Sequence, residues 1–265
     1  VIPGVISVTG LGPNLTALIL SVSGQSLLGL LLLTGIAAII FGMGMPTTVM
    51  YIILVAMLGP AIEEFGVAIV SAHLFILYWG LMADVTPPVA VAAFAGAGVA
   101  KADEFKTATK AFLLSLNKLL VPFAFVFSQG ILLFRPTENG VRLVNFSDVL
   151  DVGFFFPEVA IPILGLFLGV YALGVTIIGY QYDQVTGLER VLFAFSSVFL
   201  TVPELFLLPV QNLVGMVVSV SLTGFAVTFP VRLAGFAILA GLTVLNRRRT
   251  DSGGEPVGAP TAADA

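Results

Sequence analysis

The 265 residues contain no cysteine, one histidine and one tryptophan, and only 10% of the side chains are charged. Without thiols there can be no disulfide, thiolate metal site or cysteine nucleophile, although the compartment stays open. His73 stands alone, outside any His-Glu-x-x-His pattern, so no metalloenzyme signature is present. An ordinary soluble domain carries about a quarter of its residues as charges, which this chain does not. Lys and Arg number 11 against 15 Asp and Glu, for a net charge of −4. No basic patch with interleaved aromatics appears, which excludes nucleic acid as a partner. An intramembrane protease or transferase would need a nucleophile with its base, two opposed aspartates or a metal motif. Asp84 is the one acid deep in an apolar stretch, so the chain does not read as an enzyme.

What is present is hydrophobic sequence: 58% apolar residues and a mean hydropathy of +1.10. Several runs approach the roughly 20 residues that span a bilayer. The expected class is an all-α polytopic membrane protein. The sequence opens on Val1 with no basic n-region and cleavage site, and reads as the C-terminal piece of a longer chain.

Two Pro-containing motifs interrupt the apolar runs: Gly42-Met43-Gly44-Met45-Pro46-Thr47-Thr48 and Asp84-Val85-Thr86-Pro87-Pro88-Val89. Proline removes a donor, clashes with the preceding turn and pushes the residue before it to extended geometry. In lipid, broken backbone survives only where protein buries it or it lines a polar cavity. Residues 27–61 are therefore expected to form a re-entrant helical hairpin, because two glycines and a proline are more than a kink needs. Residues 67–100 read as a discontinuous, unwound transmembrane helix with an Ala/Gly-rich second half suited to close packing. Beyond it lie an amphipathic connector at 101–118, a span at 119–134 and a polar loop at 135–153. Further spans are expected at 154–178 and 191–208 within a C-terminal extension, 154–249. Residues 213–245, interrupted by Pro230 and Arg232, cross once or twice, and 250–265 read as a disordered tail.

Lys and Arg near span ends set orientation. With one final crossing, Lys101, Lys106, Lys110, Lys118, Arg190 and Arg247–Arg249 collect on the cytoplasmic side with the C-terminus. The 135–153 loop and the open end of the hairpin then face outward. Two crossings in 213–245 would invert the assignment.

The candidate chemistry lies at the two breaks. Gly42 and Gly44 permit unusual backbone, Pro46 breaks the helix, and Thr47 and Thr48 place hydroxyls beside a new helix start. A helix N-terminus carries about half a positive charge and free amides, which suits a carboxylate. Thr86 and the carbonyls around Asp84, before Pro87 and Pro88, offer oxygen ligands for a small hard cation. Asp84 is a functional candidate by its depth, or else a cap or cavity-facing carboxylate. His73, near Ser71 and Tyr78, reads as a hydrogen-bonded packing residue or a proton relay. Glu63 and Glu64 read as solvated charge, and Glu158 and Glu204 as residues at span ends.

The Gly42–Thr48 motif, the His73-Leu74-Phe75 stretch and Ala83–Ala90 followed by small residues resemble the large membrane subunit of TRAP transporters, the tripartite ATP-independent periplasmic carriers. The resemblance is closest to the branch that fuses small and large subunits, and it covers residues 1–134. It implies an elevator-type carrier of two inverted repeats in a prokaryotic cytoplasmic membrane. It also implies sodium as the coupling ion, with no other cofactor, and import of an organic acid such as a dicarboxylate. The implied partners are an extracytoplasmic solute-binding protein and the remaining membrane helices of the transporter. Residues 42–48 would be the hairpin tip of the second repeat and Thr86–Pro88 its unwound helix, with Thr47 and Thr86 near sodium. Only one such motif pair is present, so the chain would be one half of an inverted-repeat carrier, lacking the first repeat and the small-subunit helices. The alternative is a stand-alone carrier without a binding protein.

Overall fold

The computed structural model describes residues 10–24, 26–137, 140–215 and 225–251. Expectations for the 252–265 tail, Glu138 and residues 216–224 lie outside them. Helices dominate, and a two-stranded hairpin is the only sheet among the described residues. Three helical runs are long and apolar enough to cross a membrane: Glu104–Phe127, Val152–Ile178 and Phe225–Thr250. Gly187–Thr201 and Glu204–Val210, bent by 91°, give a fourth if they act as one span. The chain is an all-α polytopic membrane protein. It divides into two compact units, Val1–Val159 and Ala160–Ala265.

In the first unit α1 (Leu11–Ser23) precedes the hairpin pair α2 (Leu27–Gly42) and α3 (Thr47–Glu63). Ser26 starts α2 by accepting the Gly29 N–H through its hydroxyl. Pro60 is carried inside α3, which continues to Glu63. Helix α4 (Ile69–Leu81) then packs on both arms. Trp79 rests on Gly35 and Ala83 on Gly42, so α2 and α4 run the same way. Met50 meets Gly80 near one end of α4, while Tyr51 and Glu63 approach His73 farther back, so α3 runs against α4. The two arms are therefore antiparallel, as a hairpin requires. In lipid the attraction between such helices is close van der Waals packing, and small residues let backbones approach.

A 3₁₀ turn (Met82–Val85) follows α4, and α5 (Val91–Ala100) packs on α6 (Glu104–Ser115) through Ala90, Ala93 and Ala108. Asp103 caps α6 by accepting the Lys106 N–H. Here the boundaries differ from expectation. A 3₁₀ turn (Leu116–Lys118) joins α6 to α7 (Leu120–Phe127), making one helical run of 24 residues rather than a connector and a separate span. The run stops at Phe127, short of residue 134, where Ser128 leaves helical geometry. Phe123 stacks edge-on against Phe75 at 5.3 Å and Trp79 at 6.0 Å, locking α7 to α4.

The 135–153 stretch is folded rather than a loop. Strands β1 (Phe134–Thr137) and β2 (Gly140–Leu143) pair antiparallel with Phe134 opposite Leu143. Helix α8 (Phe146–Leu150) begins with a capping box formed by Asn145 and Asp148. The Asp148 carboxylate, 2% exposed, accepts from Arg135 Nη1 at 2.6 Å and from Arg142 Nη1 and Nη2 at 2.6 and 2.7 Å. Hydrogen bonds from Arg142, then the Asn145 N–H and Arg135, outweigh burial and hold this carboxyl below the usual carboxylate range. A depressed carboxyl adds stability that is full above the unfolded value, about 4, and disappears as pH falls through the folded value. Amide protection across 134–150 is thus expected to fail progressively below about pH 4, and at neutral pH in Asp148→Asn. Protection in Asp148→Asn equal to the parent at neutral pH would show the cluster to be ornamental.

The first unit closes on α9 (Val152–Phe155) and the π turn that follows it. In the second unit α10 (Ile161–Ile178), α11 (Gly187–Thr201) and α13 (Phe225–Asp251) enclose Val175, Phe193, Leu200 and Leu239. The expected uninterrupted span over 191–208 is broken at Val202-Pro203, where the chain bends into α12 (Glu204–Gly215). Pro230 and Arg232 do not interrupt α13. Pro230 is carried inside the helix at the cost of one helical N–H donor, and Arg232 turns inward to donate to the Leu200 carbonyl at 2.7 Å. Helix α13 accounts for 225–245 as one element.

Candidate functional site

The tip of the α2–α3 hairpin meets the break after α4. Gly42 is the buried last residue of α2. A Cβ there would stand 3.1 Å from the Gly80 carbonyl oxygen, 3.1 Å from Ala83 Cβ and 3.3 Å from Met50 Cγ. Gly44 holds φ at +75°, a conformation natural to glycine, and its Cβ position lies 4.0 Å from Val89 Cγ1. The first motif thus lies against the end of α4 through Gly42 and beside the Val89 side chain of the second motif through Gly44.

Pro46 is the N-cap of α3 and gives no side-chain cap; its carbonyl accepts the Met50 N–H at 3.0 Å. Thr47 and Thr48 form the first turn, both exposed. The opening amides of a helix have no partner within it. This end of a 17-residue apolar helix therefore presents donors and partial positive charge beside two hydroxyls.

Across from it, Asp84 lies half-buried in the 3₁₀ turn. Thr86 is extended, as a residue before proline should be, and the Pro87–Pro88 peptide is cis. The Thr86 hydroxyl donates to the Met82 carbonyl at 2.6 Å, and its N–H donates to Ala83 at 3.3 Å. With its proton committed, the Thr86 oxygen has lone pairs left for a cation. Its own carbonyl accepts the N–H of Ala90, whose left-handed conformation starts α5. A hard cation is served by such neutral and anionic oxygens.

The structure sets Gly42 against Gly80 and Ala83, just before the Asp84–Thr86 turn, and Gly44 beside Val89, and leaves Thr47 and Thr48 exposed at the tip. His73 is hydrogen-bonded, as the first of its two readings has it, with Tyr51 and not Ser71 or Tyr78 as the partner: its Nδ1 is 3.0 Å from the Tyr51 hydroxyl, and its Nε2 is 4.0 Å from Glu63. Glu63 thus faces a partner rather than only solvent. Glu158 is exposed, while Glu204 is buried at the start of α12. Gly35, Gly80 and Trp79 were not singled out from sequence, yet they set how closely the hairpin approaches α4. Glycine inside an apolar run was their signal. Thr34, Ser71 and Trp79 each bury a polar atom with no hydrogen-bond partner among the described residues. A separate cleft of about 450 Å³, lined by Gly66, Gln129, Phe134, Thr137 and Glu158 among others, contains none of the tip residues.

A helical hairpin broken at its tip and seated on a broken helix, within a polytopic α-helical chain, is the layout of a secondary transporter. Residues 1–138 match the family described as the tripartite ATP-independent periplasmic transporter, DctM component. That is just over half of the chain, which belongs to this family as its large permease component. Comparison with curated proteins and with solved structures returns no match.

Proposed function

We propose that this chain is part of a sodium-coupled permease that imports an organic acid, a dicarboxylate-like anion delivered by an extracytoplasmic solute-binding protein. The observation that carries the reading is the backbone contact between Gly42 and the Gly80–Ala83 segment, because it joins the two breaks into one oxygen-rich, helix-ended locus. Sodium is assigned to the Thr86 turn with Asp84 close by, and Thr47 closes it from the tip. The exposed N-terminus of α3 suits the carboxylate of the substrate. The first repeat and small-subunit helices complete the site, and the C-terminus is placed in the cytoplasm.

The test is uptake of labelled organic acids into proteoliposomes holding the intact carrier, with and without its binding protein and an inward sodium gradient. Sodium-driven uptake that needs the binding protein is expected. Uptake without the binding protein would indicate a stand-alone carrier instead. Thr86→Ala and Thr47→Ala are expected to raise the sodium concentration for half-maximal uptake by about tenfold, the equivalent of 1.4 kcal/mol for one lost ligand. An unchanged sodium dependence in both variants would remove the cation from this locus.

A further inference from the structure

The folded module between residues 133 and 156 is built inside out. Its most buried side chain is a carboxylate, Asp148, and both arginines of the strands turn towards it. Arg135 also reaches Asp151 at 3.1 Å and lies 4.3 Å over the Phe154 ring. Phe154 is buried under Arg135, but four large apolar side chains point outward: Phe146 is 79% exposed, Val152 73%, and Leu143 and Leu150 each 67%. None of β1, β2 or α8 is long enough to span a bilayer. In water, this arrangement would leave Phe146 and Leu150, one helical turn apart on α8, exposed together.

Chain continuity identifies what covers the face. The candidate span Val152–Ile178 begins at the last of these residues, and its Phe156 is also exposed. The cation–π contact with Phe154 ties the ion cluster to the first turn of the same span. A module joined without a break to that span lies close to where the span enters the membrane.

We propose that residues 133–156 form an interfacial anchor, with Phe146, Leu150 and Leu143 inserted at the boundary between lipid headgroups and acyl chains. The Arg–Asp cluster allows the insertion, since each strand arginine is paired with Asp148 where it meets a lower dielectric. Monotopic elements of this kind sink about 5–10 Å into the boundary. The reading does not depend on which face of the membrane the module occupies, nor on sodium coupling.

This sequence holds no cysteine, so with any cysteine elsewhere in the intact protein replaced by serine the introduced thiol alone is labelled. Phe146→Cys and, separately, Leu150→Cys are labelled with an environment-sensitive NBD fluorophore in the intact protein. The protein is reconstituted into phosphatidylethanolamine–phosphatidylglycerol vesicles containing phosphatidylcholine spin-labelled near the carbonyl end of its chain. Both positions are exposed, so the substitutions leave the packing intact. The expected result is blue-shifted emission that loses most of its intensity to the lipid spin label and resists iodide supplied on both sides. Quenching by iodide instead would place the face in water and overturn the proposal. Emission insensitive to both quenchers would show that protein covers it, which overturns the proposal equally.

Discussion

Gly42→Val is expected to lower transport by the intact carrier at least about tenfold while membrane insertion stays normal. The position has no room: a Cβ already sits 3.1 Å from a backbone oxygen and 3.1 Å from a methyl carbon. Overpacking of this kind costs about 1–3 kcal/mol. The cheapest relief is to lift the hairpin tip off the Gly80–Ala83 segment, which separates the two breaks. A loss of 1.4 kcal/mol in site assembly is a factor of ten in affinity. The effect should appear in sodium and substrate dependence rather than in yield. Gly96→Val is the control, since nothing lies within 4 Å of a Cβ there. Equal uptake by the two variants would separate the tip contact from function.

Gly165→Val should be the most damaging change in the second unit. A side chain there collides with the Leu200 carbonyl and with the Arg232 guanidinium that donates to it. Overpacking of about 1–3 kcal/mol adds to the loss of a charged hydrogen bond worth about 1.5–3 kcal/mol. The expected total is roughly 2.5–6 kcal/mol. It should be read as a fall in thermal midpoint and as faster hydrogen exchange in α10 and α11. Gly169, against Thr201 and the Ser197 carbonyl, should behave alike. Gly241→Ala meets nothing within 4 Å and should be neutral or slightly stabilising, since alanine favours helix. A Gly165→Val variant as stable as the parent would mean that α10 and α11 separate freely, contrary to their packing.

The hairpin and the broken helix were legible in the sequence because glycine and proline act locally. Gly42, Gly44, Pro46 and Thr86–Pro88 dictate a break whatever surrounds them. The contacts that place one break on the other were not legible. Trp79 on Gly35 and Met50 on Gly80 are choices between helices, and one sequence does not state which glycine receives which side chain. The 135–153 segment was read as a polar loop because its charges were counted as solvated. The polar Glu138-Asn139-Gly140 sequence between the runs 134–137 and 141–143 was the missed turn signal. The break at Val202-Pro203 was written in its proline, but the apolar residues on both sides masked it. Helix α13 was harder for the opposite reason, since Pro230 and Arg232 looked like interruptions and are both accommodated. For the candidate site itself, sequence supplied the residue types and structure supplied their adjacency.

The glycine contacts along α4 also restrict how the hairpin can travel. Trp79 is keyed into Gly35 and Ala83 into Gly42, while Gly80 receives Met50 from the other arm. A slide of α2 by about 1.5 Å, the rise of one residue, would take Gly35 out from beneath the indole, and a matching turn of about 100° would put Thr34 or Ile36 there instead. Gradual slippage is therefore blocked at three levels at once. Hairpin and broken helix are geared together like a toothed rack, and any large displacement of one must carry the other as a single rigid body or skip a whole helical turn.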